Sequence, residues 1–135
     1  MYNGGMARKT EAFDLVRLFA ALADPTRLRL LNLMDGREVC VCYFVEILKL
    51  GQPKISRHLA YLRSAGIVSA RREGKWMHYR IQRPEDQAAQ SILDAVLATF
   101  ANNAEMQKDL LRLNRACCEP QRLVALQAAP SPITV

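Results

Sequence analysis

Several common features are missing from this chain of 135 residues, and each absence excludes a class of function. No apolar run approaches the ~20 residues that a membrane-spanning helix needs. The first residues, MYNGGMARKTEAF, lack the apolar core of a signal peptide, so we expect a cytoplasmic protein without a membrane partner. The sequence has no Cys-x-x-Cys motif, no phosphate-binding glycine loop and no nucleophile–base set, which argues against an enzyme or an organic cofactor.

Cysteine is sparse but paired. The four cysteines form two close pairs, Cys40 with Cys42 and Cys117 with Cys118. Disulfides are not expected in a cytoplasmic protein, so close thiol pairs indicate metal binding or redox chemistry. The alternative is that each cysteine is a small buried hydrophobe.

Positive charge is concentrated in one segment. Residues 52–83 contain eight basic side chains and one acidic one, a net charge of +7, whereas the whole chain carries +6. The other residues therefore sum to −1. A basic block in an otherwise balanced protein is typical of nucleic-acid binding, although a solvated surface gives the same composition.

Residues 52–67, QPKISRHLAYLRSAGI, predict a helix with a cationic outer face. Pro53 suits the first turn, and Gly66 suits the left-handed conformation that ends a helix. Three apolar residues spaced i, i+4 and i+7 share the inner face: Ile55, Leu59 and Leu62. The residues roughly opposite are Lys54, Arg57, Tyr61 and Ser64, with Ser56 and His58 at the boundary. Such a face suits a DNA major groove.

Three helices are expected ahead of this one. Residues 10–23, capped by Thr10, are apolar nearly all round, which indicates a central core helix or one that packs against a second subunit. Asp24-Pro25 opens the next helix, and Asp35-Gly36-Arg37 closes it. Residues 38–48 form the third. The turn Lys49-Leu50-Gly51 then leads into residue 52, so the third and fourth helices predict a helix-turn-helix.

The periodicity changes to that of strands after Gly66. Residues 68–72 and 76–81 alternate as strands do, with a turn at Glu73-Gly74-Lys75, and the basic tip favours a DNA-binding wing over a plain hairpin. Pro84 opens a long helix that reaches about Ala116 with an interruption at Asn102-Asn103. Together with the first helix, it is the expected dimer interface, and a dimer would set two recognition helices about one DNA turn apart.

The expected fold is therefore mainly α with a small β-hairpin, a winged helix-turn-helix in the order α-α-α-α-β-β-α that dimerises through its first and last helices. Residues 1–9 are expected to be a flexible arm and residues 10–116 the DNA-binding and dimerisation domain. Residues 117–135 are expected to hold the second cysteine pair and a disordered tail.

Four segments resemble the ArsR/SmtB family of metal-sensing winged-helix repressors: ALADPTRLRLLNLM, EVCVC, GQPKISRHLAYLRSAGIV and REGKWMHYRI. The resemblance spans roughly Phe13 to Cys118. It implies a homodimer that binds double-stranded operator DNA near a resistance operon and leaves it when metal binds. Cys40-Val41-Cys42 matches the ligand motif of the arsenite and antimonite repressors. Many of those carry a third cysteine where this chain has Val45.

Other branches of the family fit less well. Cadmium and lead sensors add thiols near the N-terminus, and residues 1–39 contain none. Zinc sensors use Asp and His on the last helix, but His58 and His78 are the only histidines. The resemblance thus implies arsenite or antimonite as inducer, and a cadmium/lead-responsive or thiol-redox-responsive repressor is the alternative. Cys117 and Cys118 resemble adjacent cysteines of some arsenic sensors, and would form a second site, supply the third thiol or remain unused.

The cysteine spacing suggests a mechanism. Thiolates select soft ions, and binding requires loss of the thiol protons, so it should depend on pH. Residues i and i+2 point about 200° apart in a regular helix. If residues 38–48 are helical, Cys40 and Cys42 can share one ion only when that helix start unwinds. Metal-bound and DNA-bound shapes would then be mutually exclusive.

Nine residues are predicted to contact DNA. Those expected at the groove are Gln52, Lys54, Ser56, Arg57 and His58. Those expected at phosphates are Arg63, Arg71, Arg72 and Lys75. A domain that uses its first and last helices only for protein partners remains a further alternative.

Overall fold

Six helices and four strands make up the described part of the chain, which in this computed structural model comprises residues 14–118, 126 and 128–135. The helices are α1 (Leu15–Leu22), α2 (Pro25–Met34), α3 (Val41–Leu48), α4 (Gln52–Ser64), α5 (Gln87–Thr99) and α6 (Ala104–Cys118). The strands are β1 (Arg37–Cys40), β2 (Val68–Glu73), β3 (Trp76–Ile81) and β4 (Ile133–Thr134). The α3–α4 pair followed by the β2–β3 hairpin confirms the winged helix-turn-helix.

Aspartate caps define the first two helices. The Asp14 carboxylate accepts a hydrogen bond from the Arg17 amide at 3.0 Å, so α1 begins at Leu15. The prediction that this helix already includes residue 14 is wrong, and its predicted Thr10 cap lies outside the described residues. Asp24 caps α2 in the same way, with Pro25 at its first position as predicted.

The predicted helix over residues 38–48 is wrong in its first part. Residues 37–40 form β1, which pairs antiparallel with β3 through Val39↔Tyr79 and Cys40↔His78. Cys40 has extended backbone (φ −70°, ψ 142°), and α3 begins only at Val41. Pairing with β3 gives the β1 backbone hydrogen-bond partners that a local reading of this apolar segment cannot foresee.

The sheet has the order β2-β3-β1-β4. The β2–β3 hairpin turns at residues 74–75, where Gly74 has a φ of +60°, and confirms the predicted wing strands. The prediction of a disordered tail is wrong for β4, which pairs with the outer edge of β1 through Glu38↔Ile133. This pairing supplies hydrogen-bond partners to an edge that would otherwise be open.

The last predicted helix is two helices. Asp86 accepts a hydrogen bond from the Ala89 amide at 2.9 Å, so α5 begins at Gln87 rather than at Pro84. The interruption at Asn102-Asn103 is confirmed. A 3-10 turn over Phe100–Asn102 ends the first part, and the Asn103 side chain then accepts from the Met106 amide at 3.0 Å.

The core lies between α2, α3, α4, α6 and the inner face of the sheet. Its fully buried large side chains include Tyr43 and Phe44 of α3. The first helix is not buried all round, because Val16 is 80% and Phe19 54% exposed. Among the described residues, no helix is long and apolar enough to cross a membrane.

Candidate nucleic-acid interface and thiol site

Helix α4 presents the face that its periodicity predicts. Its apolar residues are buried: Ile55, Leu59 and Leu62. Gln52, Lys54 and Arg57 are exposed on the outer side, as is Arg63 near the C-terminal end, and Ser56 is half-buried. The turn before α4 places Lys49, not Gly51, in the left-handed region, with a φ of +56°. Proline in the first turn and Gly66 at φ +82° bound the helix region as predicted.

The wing supplies cations of two kinds. Arg72 and Lys75 are exposed at the tip, and the Lys75 ammonium lies 5.0 Å from the centre of the Trp76 ring. Arg71 instead pairs with the buried Glu38, with 2.7 Å between Nη2 and Oε1. This hydrogen bond holds the pKa of Glu38 below its ordinary value. Arg71, predicted to contact phosphate, therefore already pairs with a carboxylate of this chain, although its own side chain is 49% exposed.

His58 occupies a different position from the other predicted groove residues. Its side chain is only 16% exposed, and its Nδ1 lies 3.1 Å from the Arg27 guanidinium. Burial lowers the pKa of His58, the charge of Asp24 opposes this, and the nearby cations Arg27, Lys54 and Arg57 lower it further. A neutral ring at pH 7 accepts a hydrogen bond from Arg27.

The structure brings Cys40 and Cys42 together at the β1–α3 junction. Cys40 is completely buried as the last residue of β1, and Cys42 is half-buried in the first turn of α3. Both carry free thiols. Burial raises the pKa of Cys40 to about 11, and the neighbouring Cys42 thiol adds to the effect. Because Cys40 precedes the helix, the separation of 200° predicted for two side chains of one helix does not apply to this pair.

A third ligand is not assembled beside them. Within residues 14–118, 126 and 128–135, no group of three His, Cys, Asp or Glu side chains could hold a metal ion. Cys117 lies in the last turn of α6, where its Sγ is 3.7 Å from the Asn114 carbonyl oxygen. The Cys118 side chain lies outside the described atoms.

Three residues that the sequence reasoning missed connect these surfaces. Glu38 and His78 flank Cys40 on one face of the sheet, since His78 is the cross-strand partner of both Cys40 and Arg71. His78 also lies 2.8 Å from the Glu73 carboxylate. Arg27 contacts α4. Alternation in EVCVC would have placed Glu38 beside Cys40, but no local signal pairs Arg27 with His58.

Known proteins share this architecture. Residues 24–70 match the family described as "Bacterial regulatory protein, arsR family". The arsenic resistance transcriptional regulator ArsR1 of Pseudomonas putida is 43% identical over 125 residues, which cover 92% of this chain and 94% of that protein.

Solved structures agree with the sequence comparison. HlyU from Vibrio cholerae superposes with a TM-score of 0.55 at 27% identity, covering 71% of this chain and 99% of that one. The AntR antimony-specific transcriptional repressor gives 0.52 at 28% identity, covering 76% and 91%. Because ArsR1 of Pseudomonas putida is 43% identical to this chain over nearly the whole length of both proteins, the chain belongs to the ArsR family of bacterial regulatory proteins.

Proposed function

We propose that this protein is a homodimeric repressor that binds operator DNA and is released when trivalent arsenic or antimony binds Cys40 and Cys42. The observation that carries the proposal is the position of this thiol pair. Cys40 ends a strand of the wing sheet, and Cys42 lies in the first turn of the helix that packs on α4. A ligand held there would contact β1 and α3, which are the immediate neighbours of the wing hairpin and of α4, the two elements that carry the basic side chains.

The buried site favours a neutral inducer. Arsenous acid and its antimony counterpart carry hydroxyl groups, and each bond formed to a thiol sulfur releases one water made from that hydroxyl and the thiol proton. No proton has to leave for solvent in this exchange. A divalent cation would instead require both thiols to release their protons to solvent, which the burial of Cys40 opposes because it raises the pKa of that thiol. Bonds to the sulfurs of Cys40 and Cys42 use two of the three bonds of the trivalent atom. A hydroxyl group, or the thiol of Cys117 or Cys118, would take the third.

The inducer would act on DNA binding along two routes. Helix α3 packs against α4, and β1 pairs with the wing strand β3. The Glu38–Arg71 ion pair joins β1 to β2 across β3. Displacement of Cys40 would therefore shift α4 and the wing together. A coupling of about 1–3 kcal/mol would lower operator affinity roughly 5- to 150-fold.

An apolar surface supports the homodimer. Leu15, Val16 and Phe19 are exposed on one side of α1, and Leu111 is 58% exposed on α6. A two-fold axis would place the same patches of two subunits against each other and set two α4 helices on one face of the DNA. At the groove we propose Gln52, Lys54, Ser56 and Arg57, with Arg63, Arg72 and Lys75 at phosphates.

Fluorescence anisotropy tests the proposal. A duplex selected from a random library by the wild-type protein is titrated under reducing conditions, and arsenite, antimonite, cadmium or zinc is then added. We expect release by arsenite and antimonite. Cys42→Ser should bind the duplex normally but resist release, whereas the matched variant Cys117→Ser reports whether α6 supplies a ligand. Release by zinc alone, or unchanged arsenite release from Cys42→Ser, would contradict the assignment.

A thiol-redox repressor is the second candidate, because two free thiols adjoin each other at the β1–α3 junction. Burial of Cys40 opposes it, since the reacting species in thiol oxidation is the thiolate. Peroxide in metal-free buffer separates the two functions. Release under those conditions would favour redox sensing, and retention on DNA would favour the metalloid.

A further inference from the structure

Arg27 lies at the junction of α1, α2 and α4, where each of its three guanidinium nitrogens has a hydrogen-bond partner. Although charged, its side chain is only 12% exposed. Its Nε donates to the Ala21 carbonyl at 2.8 Å, and its Nη2 donates to the Ala20 carbonyl at 3.0 Å. Its Nη1 bonds His58 at 3.1 Å, and its carbon Cζ lies 4.2 Å from the centre of the Tyr61 ring.

Each contact has a physical reason. Ala20 and Ala21 are in the last turn of α1, where the carbonyl oxygens carry the partial negative charge of the helix end. The Ala20 carbonyl already accepts from the Ala23 amide at 3.2 Å, and the Arg27 guanidinium donates to both the Ala20 and the Ala21 oxygens at once. Asp24, with a carboxylate oxygen 3.9 Å from Arg27 Nη1, offsets the buried positive charge.

The two contacts on α4 fix the orientation of that helix. His58 and Tyr61 are three residues apart and therefore lie on neighbouring turns of one face. A directional hydrogen bond to His58 and a cation–π contact with the Tyr61 ring restrict both rotation and sliding of α4. Arginine has only donors, so its bond to His58 requires an unprotonated Nδ1. Asp24, Lys54 and Arg57 are the other charged groups near this ring.

We propose that Arg27 is a positioning residue for DNA binding, which sets α4 in the major groove through His58 and Tyr61 without touching DNA itself. This inference rests on the proposed DNA-binding function. It also moves His58 from the groove to the support of α4. Because Arg27 holds the end of α1, the orientation of α4 depends on the helix that exposes the apolar dimer surface.

Arg27→Lys is the test variant, because it keeps the charge but loses the planar fork. Affinity is measured for the duplex selected by the wild-type protein and for the same duplex with its bases shuffled, at several salt concentrations. We expect the selected duplex to lose about 10-fold or more in affinity, comparable to one misplaced base contact. Affinity for the shuffled duplex and the salt dependence should stay unchanged, since phosphate contacts remain.

Two controls separate positioning from folding. Arg17→Lys changes an exposed arginine of α1, 53% exposed, and should leave both affinities unchanged. In a His58→Ala background, Arg27→Lys should lower affinity for the selected duplex by less than it does alone. Circular dichroism identifies the temperature range in which each variant is folded.

The outcomes are distinct. Wild-type affinity of the folded Arg27→Lys variant for the selected duplex would overturn the inference, as would equal losses on both duplexes or fully additive effects with His58→Ala. Failure of the wild-type protein to prefer any duplex over its shuffled control would instead refute the proposed DNA-binding function.

Discussion

Asp109 offers the sharpest test of how α6 is held to the domain. Its carboxylate is completely buried and accepts two hydrogen bonds from Arg29 of α2, at 2.7 and 2.9 Å. Arg112 donates a third at 3.0 Å. The hydrogen bond with Asp109 also raises the pKa of Arg29. Replacing Asp109 by Asn removes the negative charge while keeping the shape of the side chain.

The geometry sets the expected size of the effect. Removing one partner of a buried ion pair costs about 3–5 kcal/mol. Water reaches the arginines, whose side chains are 21% and 51% exposed, so we place the loss near the lower end, at about 3 kcal/mol. With a urea dependence of ~2 kcal/mol per molar, the unfolding midpoint should fall by about 1.5 M.

A matched pair on the surface provides the control. Asp94 pairs with Arg83, and their side chains are 57% and 50% exposed. Asp94→Asn should cost less than ~1 kcal/mol, because solvent already screens that pair. The urea unfolding of both variants is measured at the same protein concentration, since dimerisation would change apparent stability. Equal losses below ~1 kcal/mol for the two variants would refute the reasoning from burial.

Three further predictions concern single side chains. The Tyr43 hydroxyl is buried with no hydrogen-bond partner among the described residues, so Tyr43→Phe should raise the unfolding midpoint in urea; a lower midpoint would indicate a missing partner. Burial lowers the pKa of His58, so the unfolded state binds more protons, and the unfolding free energy should fall as pH decreases through about 6.5, an effect absent from His58→Ala. Burial raises the pKa of Cys40 to about 11, so iodoacetamide at pH 7.5 should label the half-buried Cys42 well before Cys40, as peptide mass spectrometry would show; faster labelling of Cys40 would contradict its burial.

Helix α4 and the β2–β3 hairpin could be predicted because their signals are local. Helical spacing places Ile55, Leu59 and Leu62 inward, and residue types alone identify the Asp24-Pro25 start and the Gly74 turn. The strands β1 and β4 could not be predicted in this way. Each is four residues or fewer, and each is defined by a partner at least 35 positions away in the chain.

The candidate site shows the same division. The Cys40–Cys42 spacing identified the thiol pair, but the assumption of a helix gave the wrong geometry for it. The contacts that join the site and α4 to their surroundings span 33 residues for Glu38–Arg71 and 31 for Arg27–His58. No periodicity relates residues so far apart, so only the folded chain shows that two of the predicted DNA contacts, Arg71 and His58, have partners inside the protein.

Cys40 lies at the end of a strand and not in the predicted helix, and this alters how sensing would work. If Cys40 were helical, part of the binding free energy would be consumed in unwinding the start of α3. Cys40 is the last residue of β1. It is the strand-pairing partner of His78 in the wing, and the chain continues from it directly into α3. A bound metalloid would therefore move two DNA-facing elements through a single residue, without melting either. In a dimer, each operator half-site would lose groove and phosphate contacts together, so modest displacement at a buried thiol pair would suffice for release.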